Sequence, residues 1–165
     1  MVTVVGYEYF GRPYVVGEAP GPSEGEPMAG IVKFISGLSG TDEELLREWF
    51  TWENLLGQWP GYGPSGGSEF PMDEARLRAA QMRKDDEAFI YLGRRVAKAF
   101  GHKGEWFVWK NDQVVCPHPS GLNRWWNRSE NVAEARTFWR QTITSARLAK
   151  EHNITFYEVE EARAF

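Results

Sequence analysis

Stretches of alternating or continuous apolar residues and stretches of helical spacing follow one another along the chain, with glycine and proline at the changes. Tyr14 to Val16 is a β-branched and aromatic run. The loop "GEAPGPSEGEP" follows it, so a buried strand delivers a loop from its C-terminal end. In "MAGIVKFISGLS", residues 28 to 39, Ile31, Phe34, Ile35 and Leu38 recur at helical spacing. Thr41, with Glu44 three residues on, forms a capping box for a second helix over Glu43 to Glu48. "FTWENLLGQW" reads as a short strand ending near Asn54, and "PGYGPSGGSEFP" as a loop. Residues 73 to 84 form a charged helix, "EAFIYLG" (87 to 93) a buried strand, and "RRVAKAFG" a short helix closed by Gly101. "EWFVWK" and "DQVVCPHPS" read as two extended pieces joined by a turn at Asn111 and Asp112. The longest helical pattern is "SENVAEARTFWRQTITSARLAKEH", capped by Ser129, with Val132, Ala135, Phe138, Trp139 and Ile143 towards one face. "ITFYEV" reads as a final strand.

Strands alternating with helices imply an α/β fold, a three-layer α/β/α sandwich around a central, mainly parallel sheet. Sites in such folds lie outside the C-terminal ends of the strands. The loops at 17 to 30 and 117 to 127 both follow apolar strands, so both reach that rim.

Composition narrows the function classes. A chain of 165 residues suits one domain, residues 1 to 165, and its 42% apolar and 25% charged content is that of a globular protein. The single cysteine, Cys116, permits no internal disulfide and no thiolate cluster, which fits a reducing cytoplasm. The sequence shows neither a signal-peptide pattern nor an apolar run long enough to span a membrane. A formal net charge of -4 does not favour phosphate binding as a whole, although a local patch can dominate. Eight tryptophans exceed what a core needs and point to flat ligands or a partner surface.

The loop after Val16 lacks the glycine, lysine and hydroxyl residue of a nucleotide P-loop, and it lacks the dinucleotide glycine pattern. It can be a tight turn and nothing more. Alternatively, Glu18 at the mouth of a strand orients or deprotonates a water, with Glu24 and Glu26 solvated further along. His118 has no Cys or His cluster around it, which argues against a metal ligand. At the start of a proline-braced loop it is a candidate donor to a developing negative oxygen. Leu122, in the same loop, is a candidate wedge between stacked bases.

Two motifs in this order resemble those of the uracil-DNA glycosylase superfamily. "GEAPG", Gly17 to Gly21, with "GEP" at 25 to 27, is similar to the first motif of the bacterial and archaeal branch called family four. "HPSGLNR", His118 to Arg124, is similar to the second motif, and its "PSGL" also resembles the mismatch-specific branch. "YLGRRVAKAFG" is similar to the segment before the family's last strands, so the resemblance spans about residues 14 to 128.

The resemblance implies a DNA glycosylase, a monomer that flips a deaminated or modified base out of single- or double-stranded DNA, uracil being the default, and the reaction itself requires no metal or other cofactor. Glu18 and His118 would be catalytic. Glu18 would orient or activate the water that attacks C1′, and His118 would stabilise the leaving base. Asn54 would read the pyrimidine edge, with Met28 and Ala19 beside the base. Pro119, Ser120 and Gly121 would grip phosphates, Leu122 would fill the gap in the duplex, and Asn123 and Arg124 would complete the DNA contact.

This chain departs from the family in three ways. Four cysteines usually hold an iron–sulfur cluster in family four, and here there is one. Met28 stands where relatives carry a phenylalanine stacked on the base, which leaves Trp52, Trp59, Trp125 and Trp126 as possible substitutes. "QWPGYGPSGG" is unusually rich in glycine and aromatics. These departures keep two alternatives open: a non-catalytic nucleic-acid or protein-binding protein on the same fold, and a hydrolase of free modified nucleotides.

Overall fold

The computed structural model describes residues 12–20, 28–61, 70–84, 87–119 and 123–163. Four strands, β1 (Tyr14–Gly17), β2 (Thr51–Asn54), β3 (Phe89–Leu92) and β4 (Gln113–Cys116), form one parallel sheet in the order β2-β1-β3-β4. Among the described residues the helices are α1 (Ala29–Ser39), α2 (Glu43–Trp49), α3 (Met72–Met82), α4 (Arg94–Ala99), α5 (Ser129–His152) and α6 (Phe156–Arg163), with a 3-10 turn at Arg124–Asn127.

Strand side chains alternate between two apolar cores. Val15, Ile90, Leu92, Val114 and Cys116 pack with residues of α1, α2, α5 and α6, including Val32, Leu46, Trp139 and Phe156. Val16, Phe89, Tyr91 and Val115 pack on the other face with Ala75 and Ala79 of α3 and Val96 and Ala97 of α4. Helices therefore flank both faces, and β3, buried along its whole length, has the continuous apolar sequence that a doubly covered parallel strand requires. The chain leaves β1 towards β2 on one side and returns to β3 on the other. In open α/β sheets such a reversal is where ligands bind, outside the C-terminal ends of the strands, here those of β1 and β3.

The structure corrects the sequence reading in four places. "ITFYEV" is helical: Thr155 Oγ1 accepts from the Glu158 backbone N–H at 3.0 Å while the Glu158 carboxylate accepts from the Thr155 N–H at 2.7 Å. This reciprocal cap starts α6 and overrides the β propensity of Ile154, Phe156 and Tyr157.

"EWFVWK" is not a strand. Trp106 makes one isolated bridge to Val115, Phe107 takes φ 65°, and Phe107 and Trp109 both turn into the core against Phe138. Only the turn at Asn111 survives of the hairpin, closed by reciprocal bonds between Lys110 and Gln113 at 2.8 and 3.1 Å.

Asp42, and not Thr41, caps α2 by accepting from the Glu44 N–H at 2.9 Å; the Thr41 backbone is already bonded to Ser36 and Ser39 of α1. Ser129 lies within the first turn of α5 and makes no capping bond. On α1 the buried stripe is Val32, Ile35 and Leu38, whereas Phe34 is 38% exposed and meets the Trp126 ring edge-on at 4.9 Å.

Candidate functional site

The rim at the C-terminal ends of the strands is held together by backbone bonds that continue past the sheet. Gly17 pairs in register with Asn54. The carbonyls of Gly17 and Glu18 then accept from the N–H groups of Leu55 and Leu56, both at 2.8 Å. The two chains thus run side by side beyond β1 and β2 and present Glu18 and Asn54 at one edge.

Gly17 lies in close approach to its neighbours. A β-carbon there would lie 2.8 Å from Met28 Sδ, 2.9 Å from Met28 Cε and 3.4 Å from Asn54 Oδ1. Met28 caps α1 in a left-handed conformation, φ 62°, and is 1% exposed. It therefore packs over Gly17 beside Asn54, as part of the core lining and not as an open platform.

Gly93 forms the next part of the floor. Its φ of 96° suits glycine, and its N–H donates to the Cys116 carbonyl at 2.8 Å, tying the end of β3 to that of β4. A β-carbon on Gly93 would lie 3.4 Å from His118 Cβ and 3.9 Å from Glu18 Oε2. Two residues a hundred positions apart in sequence thereby flank the same glycine.

Arg95, on the first turn of α4, grips Glu18 with a two-pronged ion pair: Nε donates to Oε2 at 2.8 Å and a terminal nitrogen to Oε1 at 2.7 Å. Its guanidinium also lies 5.0 Å from the Phe70 ring centre. The fork fixes the carboxylate's plane, as two parallel bonds do and one cannot. The remaining lone pairs of Glu18 can still accept from a water.

His118 is held through its backbone. Its carbonyl accepts from Trp126 Nε1 at 2.9 Å and from Asn123 Nδ2 at 3.1 Å, and Asn123 Oδ1 accepts from the Trp125 N–H at 3.1 Å. Burial lowers the imidazole pKa below its ordinary value, the neighbouring Glu18 carboxylate opposes that shift, and Arg95 adds to it. A lowered pKa leaves the ring neutral at pH 7, able to donate one hydrogen bond without carrying charge.

Glu18, Asn54, Met28 and His118 thus gather on one rim, with half-buried Ala19 packed against the α3 and α4 core. Pro119 follows His118 and is half-buried, and Arg124 is exposed at the start of the 3-10 turn. Asn123, expected at the DNA, has both ends of its amide bonded within its own loop. Ser120, Gly121, Leu122, Glu24 and Glu26 lie outside the described residues.

Among the tryptophans, Trp52 donates to the Leu46 carbonyl at 2.9 Å, and Trp125 and Trp126 pack the loop onto Phe107 and Phe34. Trp59 instead lines a cavity of about 300 Å³ with Leu56, Gln58, Glu74 and Arg78, directly after β2. The sequence reading missed Gly93 and Arg95. The signal was a glycine followed by two arginines at the end of an apolar strand, absorbed there as the start of a helix.

Among the described residues no group of three or more His, Cys, Asp or Glu side chains is placed to hold a metal ion. An iron–sulfur cluster does not fit this chain: its one cysteine is buried within β4, where desolvation pushes the thiol pKa well up. Among the described residues, no helix is long and apolar enough to cross a membrane. No family model, curated protein or solved structure matches the chain.

Proposed function

We propose that this protein is a DNA glycosylase of the uracil-DNA glycosylase type, hydrolysing the N-glycosidic bond of uracil or a related deaminated or modified base. The observation that carries this reading is the convergence of Glu18 and His118 on Gly93, with Asn54 on the same rim.

Breaking the glycosidic bond builds positive charge on the sugar and negative charge on the departing base. A carboxylate near C1′ and a neutral donor near a base carbonyl favour that transition state over the ground state. Glu18, aligned by Arg95, orients a water and takes up its proton as the water oxygen bonds to C1′. The electron pair of the C–N bond leaves with the base, whose carbonyl oxygen is stabilised by the His118 N–H. The products are the free base and an abasic site. Asn54 offers both an acceptor and a donor to a pyrimidine edge, and Pro119 and Arg124 meet the strand. The protein works as a monomer in the cytoplasm in this reading.

The test is mass-spectrometric detection of free base after incubation with uracil-containing DNA. Release that disappears in both Glu18→Gln and His118→Ala supports the roles; undiminished release in both variants overturns them. The second reading, a binding protein on the same scaffold, is favoured by the engagement of both Glu18 oxygens with Arg95. It predicts stoichiometric DNA binding with no base released.

A further inference from the structure

The chain is acidic overall, but the segment from Arg94 to Lys110 carries five cationic residues, Arg94, Arg95, Lys98, Lys103 and Lys110, against one acid, Glu105. All five cations are exposed. Arg94, Arg95 and Lys98 lie three and four residues apart on the outer side of α4, whose inner side buries Val96, Ala97 and Ala99. The other two converge on the turn after it. Arg94 lies 4.0 Å over the Trp106 ring and donates to the Gly104 carbonyl at 2.8 Å, while Lys110 Nζ donates to the Lys103 carbonyl at 2.6 Å. Burial lowers the pKa of His102, and Lys110 and Arg94 add to that shift.

The patch is continuous with the site. Gly93, between Glu18 and His118, is followed directly by Arg94 and Arg95. Of the acids near it, Glu18 is paired with Arg95 of the patch itself and Asp112 with Arg83 at 2.6 Å, which leaves Arg94, Lys98, Lys103 and Lys110 against exposed Glu105.

We infer that the α4 face from Arg94 to Lys110 is a phosphate-binding track for the DNA strand whose base enters the Glu18–His118 site. The inference rests on the proposed function for the identity of the strand. Like-charged side chains held together by a folded turn carry a standing repulsion, and a polyanion laid along them relieves it. Phosphates so neutralised release counterions, which makes the affinity fall with salt. An acidic protein can therefore hold DNA, because the track is local and the rest of the surface repels the strand elsewhere.

The experiment is fluorescence anisotropy with a labelled, undamaged oligonucleotide of about 20 nucleotides, single-stranded, titrated over a range of NaCl concentrations. The wild-type chain is compared with the triple variant Lys98→Ala, Lys103→Ala, Lys110→Ala. An Arg147→Ala, Lys150→Ala control removes two cations of α5, which packs on the sheet face opposite to α4, where they pair with Glu151 and Glu48. Each lost phosphate contact lowers the slope of log K against log salt by about 0.7, so the triple variant is expected to lose about 2 from its slope and at least tenfold in affinity at low salt. The control should keep the wild-type slope.

Equal slopes in the wild type and triple variant overturn the track, as does a control that loses as much, or a wild-type protein that does not bind. Exposed positions keep the fold intact, which circular dichroism verifies; Lys103→Glu alone supplies an independent charge test, with a larger affinity loss expected than for Lys103→Gln. Base release with an unchanged salt slope refutes the track and leaves the enzyme. Salt-sensitive binding through the track without base release refutes the enzyme and leaves the track.

Discussion

Arg95 holds both carboxylate oxygens of Glu18, at 2.7 and 2.8 Å, from the first turn of the helix that follows β3. The pair is partly open, with the Glu18 side chain 19% and the Arg95 side chain 44% exposed, so solvent discounts its worth to stability. Its consequence is geometric. Arg95→Ala is expected to lower excision efficiency roughly 10- to 100-fold, in line with about 1.5–3 kcal/mol for a hydrogen bond to a charged group, with little change in melting temperature. Arg95→Lys keeps the charge but loses the fork, so it should fall between the two. Steady-state kinetics on an oligonucleotide substrate check this, and an unaffected Arg95→Ala enzyme contradicts the positioning role.

The charges around His118 predict the direction in which its titration moves. Burial and Arg95 lower its pKa, and Glu18 raises it. Glu18→Gln should therefore lower the midpoint further, and Arg95→Ala should raise it, as read from the imidazole resonances by NMR. Because the folded pKa lies below the unfolded one, His118 favours folding above about pH 6.5, the unfolded value, and that contribution is lost as pH falls towards the folded midpoint. His102, also lowered chiefly by burial and then by Lys110 and Arg94, acts in the same sense. Urea denaturation should show falling stability from about pH 6.5 downward, less steeply in a His102→Gln variant.

Gly17 and Met28 are coupled by contact. Adding a methyl group at Gly17 puts a carbon 2.8 Å from a sulfur that is buried. Gly17→Ala should destabilise the protein by about 1–3 kcal/mol, the usual cost of overpacking. Met28→Ala made in that background should cost less than in the wild type, which a double-mutant cycle measured by urea denaturation would reveal.

The cap of α6 accounts for the helical end of the described chain. Thr155→Ala removes an N-cap acceptor and should cost about 1 kcal/mol. Thermal denaturation tests it, and Thr155→Ser should retain most of the stability.

The sheet and most of the helices were legible because short apolar runs such as Phe89 to Leu92 need burial on both faces, and a residue type alone specifies that. The last helix was read as a strand because the aromatic and β-branched residues of "ITFYEV" outweighed the capping pair Thr155 and Glu158. Residues 105 to 110 were misread for a different reason. Phe107 adopts a left-handed backbone, which no local pattern around a phenylalanine announces. At the site, Glu18 and His118 could be picked from loops at strand ends, and Asn54, the last residue of β2, only from the family resemblance. Arg95 could not, because its role arises from the parallel pairing of β1 with β3, which brings residues 77 positions apart into contact. The role of Asn123 was equally hidden: a polar residue in a loop looks available to a ligand until its partners within the loop are known.

The central claim is most directly tested by strand scission after base release. Labelled oligonucleotides, single-stranded and duplex, each carrying one uracil, hypoxanthine, xanthine or 5-hydroxymethyluracil, are incubated in EDTA with wild-type protein or Glu18→Gln and then treated with alkali. Breakage at the modified position with the wild type, lost in Glu18→Gln, is the result expected. Intact strands with every base, from protein that is folded, would contradict the glycosylase assignment.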